Sequence, residues 1–155
     1  MHRHQYLETV VGKLCIVENE EKITHLLLPG ETLKQGSEEE ETPLLRLAKE
    51  QLLEYFRGER NVFSLPLAPS GTEFQRKVWN ALLEIPWGQT RSYKSIAERV
   101  GCPKGARAVG MANNRNPIAI LIPCHRVIGT KGDLVGYGGG LECKQRLLEI
   151  ESRIR

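Results

Sequence analysis

Polar and apolar residues alternate over three short stretches, Tyr6 to Val10, Lys13 to Val17 and Ile23 to Leu28, with a turn at Gly12 and a stop at Pro29-Gly30. Period-two alternation punctuated in this way predicts three strands joined as an antiparallel meander. After an acidic loop, Gln35 to Glu41, the period changes. Thr42-Pro43 reads as an N-cap followed by Pro in the first turn, and Leu44, Leu45, Leu47, Ala48, Leu52, Tyr55 and Phe56 recur at helical spacing until Gly58. One amphipathic helix is expected to cover the sheet. No residue of this first half stands out as catalytic.

The second half opens with Thr72-Glu-Phe-Gln75, a capping box, and a helix whose Phe74, Val78, Trp79, Leu82 and Leu83 share a face before Pro86-Trp87-Gly88 ends it. Ser92 is placed to cap a short helix, Tyr93 to Val100. Gly101-Cys102-Pro103 then turns the chain into a second helix from Lys104 to about Asn113. Two short helices joined by a Gly-containing turn form the helix-turn-helix pattern, which helical hairpins without DNA contacts also share. The second helix is built largely from small or flexible residues, among them Ala106, Gly110 and Met111, with Arg107 near its start. Such a helix can approach a backbone closely but offers few groups to base edges, which points to sequence-independent binding in a minor groove, with Arg107 able to enter the base stack. Close packing against a neighbouring helix would explain the same residues.

Charge changes the picture of the two halves. Cut at Pro69, in the linker-like Leu65 to Gly71, the chain carries a net −4 over residues 1–69 and +7 over residues 70–155. Residues 86–131 alone hold 8 Lys or Arg against the single acid Glu98. Such a concentration suits phosphates, or else a basic solvated face. At 155 residues with 40% hydrophobic positions, the chain has the composition of an ordinary globular protein of one domain or two small ones. No apolar run approaches a membrane span, and Met1 to Gln5 carries no signal-type apolar stretch, so a cytoplasmic protein with no membrane partner is expected. The four cysteines, Cys15, Cys102, Cys124 and Cys143, include no CxxC pair.

One of them has a suggestive setting. An apolar, β-branched stretch from Asn116 runs to Pro123, Cys124, His125 and Arg126. A thiol attacks as thiolate, and an imidazole or a basic neighbour such as Arg126 can favour that form. If the segment is extended, Cys124 and His125 point to opposite sides, so a water between them is expected rather than a direct bond. An inert buried thiol beside a structural His is the alternative.

Ile122-Pro-Cys-His-Arg-Val127, preceded by Arg107-Ala-Val-Gly110 and Asn116-Pro117 and followed by Gly136-Tyr-Gly-Gly-Gly-Leu141, closely resembles the O6-alkylguanine-DNA alkyltransferases, from about Thr72 to Glu151. The resemblance implies an α+β protein: a ribonuclease H-like antiparallel sheet with a helix over residues 1–69, and a helix-turn-helix, winged-helix-like DNA-binding domain over residues 70–155. It further implies that Cys124 accepts the alkyl group from O6 of a flipped guanine once, irreversibly. His125 would be the base acting through water, Glu151 the acid that orients it, and Asn116 the brace of the preceding turn. Tyr93 would donate a proton to the guanine and turn the target phosphate, and Arg107 would fill the space of the extruded nucleotide. Ser92, Lys104, Ala106, Gly110, Met111 and Arg126 would join Tyr93 and Arg107 at the DNA. Val135, Gly136, Tyr137, Gly138 and Gly139 would line the guanine pocket.

Two departures from the family pattern appear. Gly138 stands where some relatives have Ser, and Cys15, His2, His4 and His25 do not fall at the spacing of the zinc site that some members carry, so no metal and no cofactor are expected. The expected partner is duplex DNA bearing O6-alkylguanine, and the expected state a monomer. A lesion-binding sensor without chemistry and a thiol hydrolase using Cys124, His125 and Glu151 are the competing readings. The intact Cys124 disfavours the first, and the basic helix-turn-helix disfavours the second.

Overall fold

The computed structural model describes residues 1–132, Tyr137 and residues 140–152. Strands β1 (Arg3–Thr9), β2 (Gly12–Asn19) and β3 (Lys22–Leu27) form the expected antiparallel meander, with Leu14, Ile16, Ile23 and Leu26 turned into the core. The acidic loop adds something alternation could not reveal. Glu38–Glu39 forms a two-residue strand, β4, that joins the outer edge of β1 in parallel, so the sheet order is β3-β2-β1-β4.

Helix α1 (Pro43–Phe56) lies on this sheet, buried through Leu45, Ala48, Leu52 and Tyr55. Its cap does two jobs. The Thr42 hydroxyl accepts from the Leu45 N–H at 3.1 Å and donates to Glu18 of β2 at 2.6 Å, so the helix start is tied to the strand beneath it. The Leu65 to Gly71 stretch is bound rather than loose: the Ile23 N–H donates to Pro66 O and the Ala68 N–H to Ile23 O, each at 2.8 Å, so it runs along β3. Further along the same strand, the Leu26 N–H donates to Pro117 O at 2.9 Å. The strand edge therefore also holds the segment leading to Cys124.

Helix α2 (Glu73–Leu82) begins with both arms of its capping box formed. Gly71 is required there, because a Cβ would come within 2.5 Å of the Trp79 ring. Trp79, 1% exposed, donates its indole N–H to the Ala112 carbonyl at 2.9 Å and so pins α2 to α4 (Ala106–Asn114). Helix α3 (Tyr93–Arg99) is capped by Ser92, as its sequence predicts, and packs on α4. Helix α4 begins two residues later than the sequence suggested. Lys104 sits in the exposed turn before it, and the Gly105 cap leaves no room for a side chain against Cys102.

A small ladder follows, β5 (Arg91–Ser92) pairing in parallel with β6 (Val127–Ile128). It sets the start of α3 beside the segment that follows Cys124. Helix α5 (Leu141–Ser152) closes the chain, buried through Cys143, Lys144, Leu147, Ile150 and Glu151. Among the described residues, no helix is long and apolar enough to cross a membrane.

Because Trp79 both fills the core and satisfies a carbonyl of the neighbouring helix, Trp79→Phe should cost about 2–4 kcal/mol, from lost volume plus an unpaired buried acceptor. Urea unfolding of the two proteins, compared at constant slope, measures it.

Candidate active site

The segment around Cys124 is not extended. Ile118 to Ile122 folds into a tight turn, closed by the Ile122 N–H donating to Ile118 O at 3.0 Å, with the β-branched Ile120 held at a φ of 70°. A positive φ is costly for isoleucine and persists only where surrounding contacts impose it. Asn116 imposes part of it. Its Nδ2 donates to Ile122 O at 2.8 Å and its Oδ1 accepts from the Ile118 N–H at 3.0 Å. Cys124–Arg126 then forms a single 3-10 turn, with the buried Asn113 donating to the Cys124 carbonyl at 3.2 Å. The expectation that Cys124 and His125 alternate across a strand is thereby corrected: branched residues that favour strand here form a tight turn and a 3-10 turn.

His125 is wholly buried, and its Nε2 lies 2.6 Å from Glu151 Oε2. With that edge engaged by the carboxylate, Nδ1 is buried without a partner among the described residues. If Nε2 carries the proton, Nδ1 presents a lone pair, which is the tautomer a base needs. Burial lowers the imidazole's pKa, against the upward pull of Glu151. Burial would raise the Glu151 carboxyl, but hydrogen bonds from His125 and Arg126 win and hold it well below the usual carboxylate range.

Arg126 is where the structure departs most from expectation. The sequence points it at DNA and at the thiol, yet it is 7% exposed and turned inward. Its Nε donates to Glu151 Oε1 at 2.8 Å, its Nη2 to Oε2 at 3.0 Å and its Nη1 to Ile85 O at 2.7 Å. A guanidinium engaged in this way has no reach to phosphates. Its partner is the carboxylate.

The Cys124 thiol is 4% exposed, and burial pushes its pKa up to about 11. The Asn116 amide, the Tyr137 hydroxyl and the positive charge of Lys144 act in the opposite direction. The Tyr137 hydroxyl is buried but makes no hydrogen bond of good geometry among the described residues, so its effect on the sulfur is that of a nearby dipole. Lys144 is fully buried, its Nζ 5.8 Å from the centre of the Tyr93 ring, and burial lowers its pKa to about 8. Tyr93 is raised by burial and by the Cys124 charge. Cys124, His125, Glu151, Asn116, Tyr93 and Tyr137 thus converge.

Sequence reasoning missed Lys144, Asn113 and Tyr55, whose hydroxyl donates to Glu151 Oε2 at 2.6 Å from α1. For Lys144 a signal existed: it lies seven residues before Glu151, so both charges share the buried stripe of α5. Tyr55 gave none, since an aromatic fits a helix core, and Asn113 gave none, since an Asn near a helix end reads as part of the exit turn.

Around the site, Arg107, Ala106 and Met111 line α4, with Arg107 exposed and Met111 59% exposed. Gly110 lies against Tyr93, where an added Cβ would meet the ring at 3.8 Å. Ser92 caps α3 through its side chain. The expected pocket residues Val135, Gly136, Gly138 and Gly139 lie outside the described residues. No three His, Cys, Asp or Glu side chains among the described residues are grouped as a metal site.

Residues 73–153 match the family model described as "6-O-methylguanine DNA methyltransferase, DNA binding domain", and residues 2–69 match its "ribonuclease-like domain". The chain is 51% identical to the constitutive methylated-DNA–protein-cysteine methyltransferase of Bacillus subtilis, over 97% of this chain and 96% of that protein. It is 47% identical to the corresponding methyltransferase of Methanosarcina acetivorans, over 93% and 94% of the two chains. A crystal structure of Mycobacterium tuberculosis OGT in complex with DNA superposes with a TM-score of 0.92 at 43% identity, covering 97% of this chain and 92% of that one. Matches of this extent in both halves place the chain in the 6-O-methylguanine DNA methyltransferase family.

Proposed function

We propose that this chain repairs DNA by removing the alkyl group from O6-alkylguanine onto Cys124 in a single, irreversible transfer. The observation that carries this reading is the buried His125 to Glu151 hydrogen bond of 2.6 Å, which leaves the other imidazole nitrogen unpartnered in the turn that carries the thiol. In the proposed reaction the Sγ–H proton passes through a water to His125 Nδ1. Sγ then attacks the alkyl carbon, a C–S bond forms, and the C–O6 bond breaks with its electron pair going to guanine. Tyr93 supplies a proton to the leaving base, and solvent restores it as His125 gives up its own. Every atom comes from thiol, lesion and solvent, so no cofactor enters.

A thiol with a pKa of about 11 is almost wholly protonated at neutral pH. Thiolate must therefore form as the lesion seats. Lys144 favours it by charge, and the nearby Asn116 amide by its dipole. Residues 1–69 serve as a supporting module and residues 70–155 as the DNA-binding and acceptor module. The exposed Arg107, on the bare α4, is assigned to the space that a flipped nucleotide leaves in the duplex, with Ser92, Tyr93, Lys104, Ala106, Gly110 and Met111 along the backbone.

Incubation with excess duplex carrying O6-methylguanine should add one methyl per chain, on Cys124, by intact mass and peptide mapping. Cys124→Ala should bind the lesion duplex and take nothing. Binding of that duplex by unmodified wild type would favour a sensor, and repeated turnover a hydrolase. Duplex affinity should fall roughly a hundredfold between about 50 and 200 mM salt if four phosphates are neutralised. Arg107→Ala should lower affinity for the lesion duplex, followed by fluorescence of a base analogue opposite the lesion, more than for undamaged duplex.

The site also sets an acid limit on stability. His125 has a depressed pKa when folded, so below the ordinary 6.5 the unfolded chain binds a proton that the folded chain refuses. Glu151 adds the same effect below the ordinary 4.5. Urea midpoints should therefore fall from pH 7.5 to 5.5 and fall further toward pH 4, with His125→Asn flattening the upper part of that decline.

A further inference from the structure

Glu151 collects donors from two separate parts of the chain, α1 and the 3-10 turn. Oε1 accepts from Arg126 Nε at 2.8 Å, and Oε2 accepts from Arg126 Nη2 at 3.0 Å, from the Tyr55 hydroxyl at 2.6 Å and lies 2.6 Å from His125 Nε2. A carboxylate offers about four lone-pair sites, two on each oxygen, yet of the four donors here one meets Oε1 and three crowd onto Oε2. The two shortest contacts, from Tyr55 and His125, fall on the same oxygen. Donors that share one acceptor weaken each other, because each draws on the same negative charge.

We propose that Tyr55 is a positioning residue for alkyl transfer: its phenol fixes Glu151 and competes with His125 for Oε2, so that α1 sets how readily the imidazole accepts the thiol proton. The inference rests on the alkyl-transfer reading above and deepens it. Tyr55 is suited to the role because it cannot move or ionise. Its ring is wholly buried, with Phe56 and Phe63 at centroid distances of 5.2 and 5.4 Å. Burial, and then the Glu151 charge, raise its pKa well above the ordinary phenol value, so it remains a donor throughout the working pH range.

The phenol bond is strongest when His125 is neutral and Oε2 keeps more of its charge, and weakest when an imidazolium shares that oxygen. Tyr55 therefore favours neutral His125. The other charged groups acting on the imidazole are Glu151 and Lys144 from α5 and Arg126 from its own turn. Arg126 and Lys144 disfavour the imidazolium and Glu151 favours it, so the Tyr55 hydroxyl decides how much of the Glu151 attraction His125 feels. Without it the imidazole should hold a proton to higher pH, where it can no longer serve as base.

The test compares wild type with Tyr55→Phe, which keeps the ring and removes only the donor. Two readouts are needed: the single-turnover rate of methyl transfer from an O6-methylguanine duplex between about pH 5 and 8.5, and the titration of His125 in the full-length protein by imidazole 13C and 15N NMR. Both the acid limb of the rate and the His125 titration should move up by about half a unit to one unit in Tyr55→Phe, with the high-pH rate within about twofold of wild type. Where the pH lies well below both limbs, this makes transfer roughly three to ten times slower. A more acidic difluorotyrosine installed at position 55 should move both readouts the other way, and it decides the question should Tyr55→Phe not fold. Unchanged limb and titration, with only a lower unfolding midpoint, would overturn the assignment. If wild type takes no methyl at all, the alkyl-transfer reading fails by itself, and the NMR titration still decides whether Tyr55 controls His125.

Discussion

The carboxylate of Glu151 is the point at which the separate parts of this fold meet. It is 1% exposed, and a charge so deeply buried would be prohibitive without full compensation. Compensation comes from α1 through Tyr55, and from the 3-10 turn through His125 and Arg126. Arg126 in turn grips the Ile85 carbonyl beyond the end of α2. Satisfying one buried anion thus sets the position of α5, the acceptor turn and the N-terminal helix relative to one another. Removing a partner would leave the charge exposed to a medium that cannot solvate it.

The same economy explains the contacts between the two halves. The β3 edge receives both the Leu65 to Gly71 stretch and Pro117, so the strand that completes the sheet also anchors the loop that presents the thiol. On the opposite flank, the two-residue β5–β6 ladder connects the start of α3 to the residues just after the 3-10 turn. The start of α3 and the 3-10 turn are thereby held together by backbone hydrogen bonds.

Much of this was legible in the chain. The meander, α1 with its Thr42-Pro43 start, the Thr72 capping box and the Ser92 cap depend on local periodicity and capping, and each formed where those signals stood. The convergence of Cys124, His125, Asn116, Tyr93 and Glu151 could be expected from the resemblance. What failed had a common physical origin. Arg126 reads as a surface cation because nothing local reveals that Glu151, 25 residues away, will neutralise it. Tyr55 reads as core because an aromatic on the buried face of a helix looks the same whether or not its hydroxyl has a distant partner. The Ile118 to Ile122 stretch reads as strand because isoleucines seldom accept a positive φ, and it is Asn116 that makes one do so. The Arg126 and Tyr55 contacts span many residues and the Asn116 brace only a few, but none of them leaves a mark in the periodicity of the chain.

The near-complete enclosure of Cys124 has a consequence for how long the protein keeps its capacity to act. A side chain spent in one transfer has no second chance if an oxidant reaches it first. Oxidation to sulfenic acid follows thiolate character and access, and both are withheld here: the sulfur is 4% exposed and its pKa stands near 11. Burial that makes the thiol a poor nucleophile in the resting protein also gives it a long shelf life among peroxides and stray electrophiles. Reactivity is stored unspent until a base fills the site.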